Sequence, residues 1–193
     1  LDLDALSRAE GVNWVWKGAT CLDPDERYCL LRLSNGGKDA VSLREYDTVE
    51  KRFVPNGFSL PEGKQYVEWM DRDTLLVGRD WGGGTLTESG YPYVLKVVKR
   101  GQPAEQAREV FRGQATDTWA TPIMLHDASG ALAGVIVNRG LTFFEFEHHL
   151  LTDAGPVKLD MPRRAEIQTF VDGQVIFTTN EDWKGFKAGA LLA

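Results

Sequence analysis

The chain has 193 residues, 42% of them hydrophobic and 26% charged, enough for one good core and too apolar for a disordered polymer. Its net charge of −6 and pI near 5.1 argue against a nucleic-acid backbone or an anionic membrane as partner, because either needs clustered Lys and Arg and none is present. No apolar run approaches the roughly 18 residues of a spanning helix, and Leu1-Asp-Leu-Asp-Ala-Leu6 lacks the basic start and apolar centre of a signal peptide.

In chain order, Asp4 to Gly11 predicts a short helix, with Asp4 capping its first amides and Gly11 free to take the left-handed exit conformation. Strands follow. Trp14–Cys21 and the run Tyr28–Leu33 flank Leu22-Asp-Pro-Asp-Glu-Arg27 as a first hairpin. Its cysteines, Cys21 and Cys29, form no C-x-x-C pair and are too few for a disulfide scaffold, which predicts two small buried thiols in a reduced, cytoplasmic chain. A pairing of the two across the turn is the alternative.

After the glycines of Ser34-Asn-Gly-Gly37 come Ala40–Tyr46 and Arg52–Val54, which make a unit of four strands. Phe58 to Gly63, with Pro61 and Gly63, reads as a connection. The strongest hairpin is Gln65 to Asp80, two runs of β-formers hinged on Asp71-Arg72-Asp73. Tyr93–Val98 and Glu109–Phe111 complete the second unit. A third has Thr121–Leu125, a turn at Asp127-Ala-Ser-Gly130, Gly134–Asn138, Leu141–His148 and Val157–Leu159. A fourth begins with Ile167–Val171, turns at Asp172-Gly173 and runs through Gln174–Thr179.

Asp23, Asp71, Asp127 and Asp172 mark the four hairpin turns, at intervals of 48, 56 and 45 residues. Such intervals suit a four-stranded blade of a β-propeller. A β-sandwich also has short, evenly spaced strands, yet nothing in it requires the same hairpin and outer pair to return. The expected fold is therefore all-β: a short N-terminal helix and a partial β-propeller of about three and a half four-stranded antiparallel blades. All of 1–193 is read as one domain, with blades at 12–55, 65–112, 119–160 and, incomplete, 166–193. An open arc leaves apolar faces and strand edges at both ends, so it calls for completion by more of a larger protein or by a second copy.

Catalytic signals are sparse. A serine hydrolase of the α/β type needs G-x-S-x-G, whose small residues allow the sharp turn that exposes the nucleophile; no such string occurs, and Ser89 in Thr87-Glu-Ser-Gly-Tyr91 lacks the leading glycine. His148 and His149 are adjacent, so on a strand they point to opposite faces and cannot chelate one ion together; His126 stands apart. Glu145-Phe-Glu-His148 reads as an alternating strand, Phe144 and Phe146 on one face and Glu145 and Glu147 on a wet one. The pairs Asp23/Asp25 and Asp71/Asp73 are turn residues that bond nearby amides, rather than an acid–base couple. Trp81-Gly-Gly-Gly-Thr85 leads into a strand and lacks the Gly-Lys-Ser/Thr and helix of a phosphate loop. Neither a cofactor nor a metal is expected.

Several longer strings carry a resemblance: Gly57-Phe-Ser-Leu-Pro-Glu-Gly-Lys64, Trp69-Met-Asp-Arg-Asp-Thr-Leu-Leu-Val-Gly78 and Trp81-Gly-Gly-Gly-Thr-Leu-Thr-Glu-Ser-Gly-Tyr-Pro92. With Gly37-Lys-Asp-Ala-Val41, Arg44-Glu-Tyr-Asp47 and Asn180-Glu-Asp-Trp183, the chain resembles the propeller of bacterial members of the prolyl oligopeptidase family of serine peptidases. The resemblance implies a seven-bladed propeller joined to an α/β-hydrolase domain that cleaves short peptides after proline. It also places the catalytic triad in the hydrolase domain and makes the propeller a lid that limits substrate size. This chain would then be a propeller fragment, inactive alone, whose partners are that domain and, in the full-length protein, a peptide substrate. The alternative is a stand-alone protein-binding module completed by self-association. Trp81, Thr85, Glu88 and Tyr91, on a long loop of Gly, Ser and Thr between the second and third strands of a blade, are the candidate interdomain or substrate-gating residues.

Overall fold

The computed structural model describes all of residues 1–193. It opens with helix α1 (Leu3–Glu10), which Asp2 caps by accepting from the Ala5 amide at 2.9 Å. Asp4, the expected cap, sits one step inside, where its charge still complements the helix N-terminus. Gly11 ends the helix at φ 66°, a conformation a side chain resists.

Four antiparallel sheets follow. The first holds β1 (Trp14–Cys21), β2 (Tyr28–Asn35) and β3 (Val41–Asp47), with its outer position shared by β4 (Arg52–Phe53) and β5 (Ser59–Gly63). The second runs β6 (Tyr66–Asp71), β7 (Thr74–Gly78), β8 (Val94–Lys99), β9 (Arg108–Arg112), and the third β10 (Trp119–His126), β11 (Leu132–Gly140), β12 (Phe146–Thr152), β13 (Gly155–Lys158). The fourth has β14 (Ala165–Val171), β15 (Gln174–Thr179) and β16 (Leu191–Leu192). Strand order equals chain order in the last three, as in the blades of a propeller, and the all-β partial propeller is the fold observed.

Three local expectations are corrected. Ser59–Gly63 is a strand paired with β3, not a connection; it lies on the sheet edge, where the missing N–H of Pro61 costs no ladder bond. Leu141–Glu145 is a loop, and β12 starts only at Phe146. Leu191–Leu192 adds a third strand to the last sheet after an eleven-residue excursion, too short a pair to announce itself in sequence.

The core sits between sheets. Leu30, Leu43, Phe58 and Leu60 of the first meet Val67, Trp69, Leu75 and Val77 of the second. Leu76, Leu95, Val97 and Phe111 face the other way, onto Ala120, Val135 and Val137 of the third. Because β7 is covered on both faces, its sequence is a continuous apolar run rather than an alternating one. On the outer side of the first sheet, Leu3 and Leu6 of α1 lie against Cys29, Leu31, Leu33 and Tyr46. That end of the arc is therefore sheltered, contrary to the expectation of open faces at both ends. Cys21 and Cys29 stand opposite in the β1–β2 register and form a disulfide, which replaces the expected pair of free thiols.

Candidate functional site

Each sheet is a meander, so its connections alternate between two ends of the arc. One end carries the short acidic turns. There Asp71 Oδ1 accepts from the Asp73 amide at 2.8 Å, and Asp127 Oδ1 accepts from the Ser129 and Ala131 amides at 2.8 and 3.1 Å. The turn role of these acids accounts for their recurrence. The turns of the first and third sheets meet: His126 Nε2 is 3.6 Å from Asp23 Oδ2, and a Cβ on Gly130 would come within 2.7 Å of Pro24. A cavity of about 380 Å³ between them is lined by Asp23, Glu68, Asp71, Met124 and His126 among others. Burial pushes Glu68 up to about 7, with Arg32 at 3.9 Å only partly opposing the shift.

The other end carries the two longest connections, 79–93 and 180–190, the five-residue loop 141–145, and the links 113–118 and 159–164 between sheets. These are tied to one another. The Glu88 amide donates to Ala115 O at 3.0 Å, Ala120 to Pro92 O at 3.0 Å, Phe146 to Arg163 O at 2.8 Å and Asn180 to Arg164 O at 2.8 Å.

The structure places all four loop residues at this end but does not gather them into one pocket. The Trp81 amide donates to Thr85 Oγ1 at 2.8 Å and its indole to Val94 O at 3.2 Å, with Lys96 Nζ 4.9 Å above the ring. Trp81 thus faces the seam between the first two sheets, in a cleft with Phe58, Pro61 and Lys96. Thr85 is buried, its hydroxyl donating toward Asp80 and Gly82, so it shapes the loop rather than presenting a surface. Glu88 is exposed, and Tyr91 is half-buried beneath Lys64, whose Nζ is 4.1 Å from the ring centre. Tyr93 OH closes the loop by donating to Gly84 O. The segment is a self-bonded unit rather than a loose tether.

Two ion-pair networks tie the connections together, the first at the short-turn end and the second in the 113–118 link of the long-loop end. Glu45 on β3 has a side chain 0% exposed, with Arg72 Nη1 at 2.6 Å, Arg100 Nη1 at 2.7 Å and the Phe58 amide at 2.7 Å. Arg100 also reaches Asp73 at 2.7 Å, and the Arg72 and Arg100 guanidinium groups lie over Tyr28 and Phe58 at 3.7 and 4.4 Å. Buried Asp117 receives two bonds from Arg139, at 2.7 and 2.8 Å, and one from the Gln114 amide at 2.7 Å. Sequence reasoning missed both networks, since their partners lie far apart in the chain.

The histidine and glutamate readings divide. His149 packs edge-on to Phe111, centroids 5.2 Å apart, while His148 points to the opposite face beside Phe146, as the alternation requires. His148 is 2% exposed and lowered to about 4 by burial. Glu147, expected on a wet face, has a side chain only 12% exposed, paired with Lys158 at 2.6 Å and Arg139 at 3.1 Å. The Lys158 hydrogen bond holds its carboxyl below the usual range. Phe144, expected opposite it on a strand, instead stands in the 141–145 loop, 76% exposed, next to Phe143 at 73%. The signal was in the sequence: adjacent bulky aromatics cannot share one buried face of a strand.

A family model described as the prolyl oligopeptidase N-terminal beta-propeller domain matches residues 1–181. This chain belongs to the prolyl oligopeptidase family. The propeller is 46% identical to an uncharacterised peptidase of Sinorhizobium fredii, an alignment covering 100% of this chain and 28% of that protein. It is 30% identical to an uncharacterised peptidase of Rickettsia prowazekii, over 100% of this chain and 29% of that one. Among solved structures, this chain superposes on a post-proline cleaving enzyme of Rickettsia typhi with a TM-score of 0.89 and 27% identity, over 99% of this chain and 30% of that one. Oligopeptidase B of Leishmania major shares the fold at a TM-score of 0.65 and 11% identity, over 96% of this chain and 25% of that one. The chain therefore spans less than a third of each relative's length.

Proposed function

We propose that this chain is the non-catalytic propeller of a serine peptidase whose whole polypeptide hydrolyses short proline-containing peptides, with the propeller as scaffold and access gate. The observation that carries the reading is the match over 99% of the chain, at a TM-score of 0.89, to the Rickettsia typhi enzyme that cleaves after proline. On this reading the triad belongs to a hydrolase domain in sequence beyond these residues, since 1–193 holds no G-x-S-x-G turn. The long-loop end, with Glu88 and Tyr91 on its surface, Trp81 in the seam cleft beside it and Thr85 shaping the loop from within, faces that domain, and the apolar seams keep the loops in position. Self-association as the means of completing the arc draws less support, because α1 already shelters the first sheet's outer face. A cytoplasmic location would keep Cys21 and Cys29 reduced in place, whereas an oxidising compartment would keep their bond closed.

The test is turnover of a proline-containing chromogenic peptide by the chain and by the whole polypeptide in parallel. The chain alone is expected to give no turnover and the whole polypeptide inhibitor-sensitive turnover. Inhibitor-sensitive turnover by residues 1–193 would overturn the assignment of the triad elsewhere.

A further inference from the structure

At the long-loop end, Leu141–Glu145 forms a stiff tip. The Thr142 hydroxyl accepts from the amides of Phe144 and Glu145 at 3.2 and 3.1 Å, and the Leu141 and Thr142 amides donate to Glu145 O at 2.8 and 3.2 Å. Phe143 stands edge-on to Trp119, centroids 5.8 Å apart. Trp119 in turn lies on the backbone of Gly140, where a Cβ would come within 2.9 Å of the indole. The two phenylalanines are the most exposed large apolar side chains of the chain. They border a cleft of about 290 Å³ that spans the third and fourth sheets, with Phe146, Arg164, Glu166 and Asn180 as its other walls. Arg163, Arg164 and Glu145 supply a charged rim. An apolar centre on a pre-ordered backbone inside a charged rim is the anatomy of a docking surface, and its rigidity lowers the entropic cost of association.

We infer that the Phe143–Phe144 tip is the apolar anchor by which the third and fourth sheets dock on the remainder of the same polypeptide. The inference rests on the reading of the chain as the propeller of a two-domain peptidase. The occupant follows from length and placement: more than two thirds of each relative lies outside the matched region, and the tip projects from the end where the long loops gather. The opposite end offers acidic turns closed by their own hydrogen bonds and the 100–107 connection, which folds back on itself through Gln102 donating to Gln106 O, and none of these presents a pair of exposed aromatics.

The experiment is limited proteolysis of the whole polypeptide, following scission between the propeller and the remainder. F143S/F144S is expected to be cut at least tenfold faster than wild type. F144S alone, which leaves Phe143 on Trp119, is expected to give part of that rise. V49S, which removes an exposed apolar side chain from the short-turn end, is expected to leave the rate unchanged. Equal rates in wild type and double variant, with turnover of a short proline peptide intact, would overturn the docking inference and leave the proposed function standing. An equal rise in V49S would also overturn it. So would a wild-type dimer that the double variant splits without faster scission, because the occupant would then be a second copy. Loss of proline-peptide turnover in the wild type would instead strike the functional reading.

Discussion

Replacing Glu45 by alanine is expected to destabilise the propeller by about 3–5 kcal/mol, the range for removing one partner of a buried ion pair. The carboxylate is fully buried and holds two arginines and one backbone amide at 2.6–2.7 Å. Its loss leaves the Phe58 amide without an acceptor and takes the anion from between two cations. Both arginines keep some access to water, with side chains 34% and 24% exposed, so partial re-solvation should bring the effect toward the lower figure. Glu45→Gln retains shape and one acceptor and should cost less, about 1–3 kcal/mol. Urea denaturation of the chain measures both. A midpoint shift worth less than about 1 kcal/mol for the alanine variant would mean that the network adds little beyond packing.

Trp69→Ala is expected to cost about 3–5 kcal/mol as well, by a different route. The indole is 4% exposed within the seam between the first two sheets, edge-on to Phe58 with centroids 5.6 Å apart. Its Nε1–H donates to Thr20 O at 3.0 Å, a bond from one innermost strand to the next. Alanine opens a cavity and removes that hydrogen bond. Trp69→Phe fills most of the space and should lose about 1–2 kcal/mol, chiefly the hydrogen bond. The same titrations distinguish the two terms: equal losses in both variants would assign the whole effect to the hydrogen bond.

The contrast between these sites explains what the sequence disclosed. The hairpins were legible because their determinants are local: β-formers such as Val67 and Leu75–Val77, and turn residues such as Asp172 and Gly173, whose φ values of 49° and 80° are those a two-residue turn demands. The one-residue offset of Ala40–Tyr46 from the observed Val41–Asp47 is small for the same reason. Ser59–Gly63 was hidden by Pro61, which breaks a strand in most settings but sits harmlessly on an edge. Glu45, Arg72 and Arg100 were hidden by distance, since residues 27 to 55 positions apart carry no periodic signature. The Cys21–Cys29 bond lay between these cases: the spacing allowed it, while only the register placed the two opposite each other. For the candidate face, the loop at Trp81 was visible as a glycine-rich interruption. The exposed tip at Phe143 was masked by an apparent alternation that continued into a true strand.

The gate is tested most directly in the whole polypeptide by replacing Gly82–Tyr91 with a short turn and comparing kcat/KM for a short proline-containing peptide and for a long polypeptide carrying the same cleavage sequence. The account predicts that the preference for the short substrate falls at least fivefold, or about 1 kcal/mol of discrimination, while the short peptide is still cleaved. Unchanged kinetics on both substrates would contradict it.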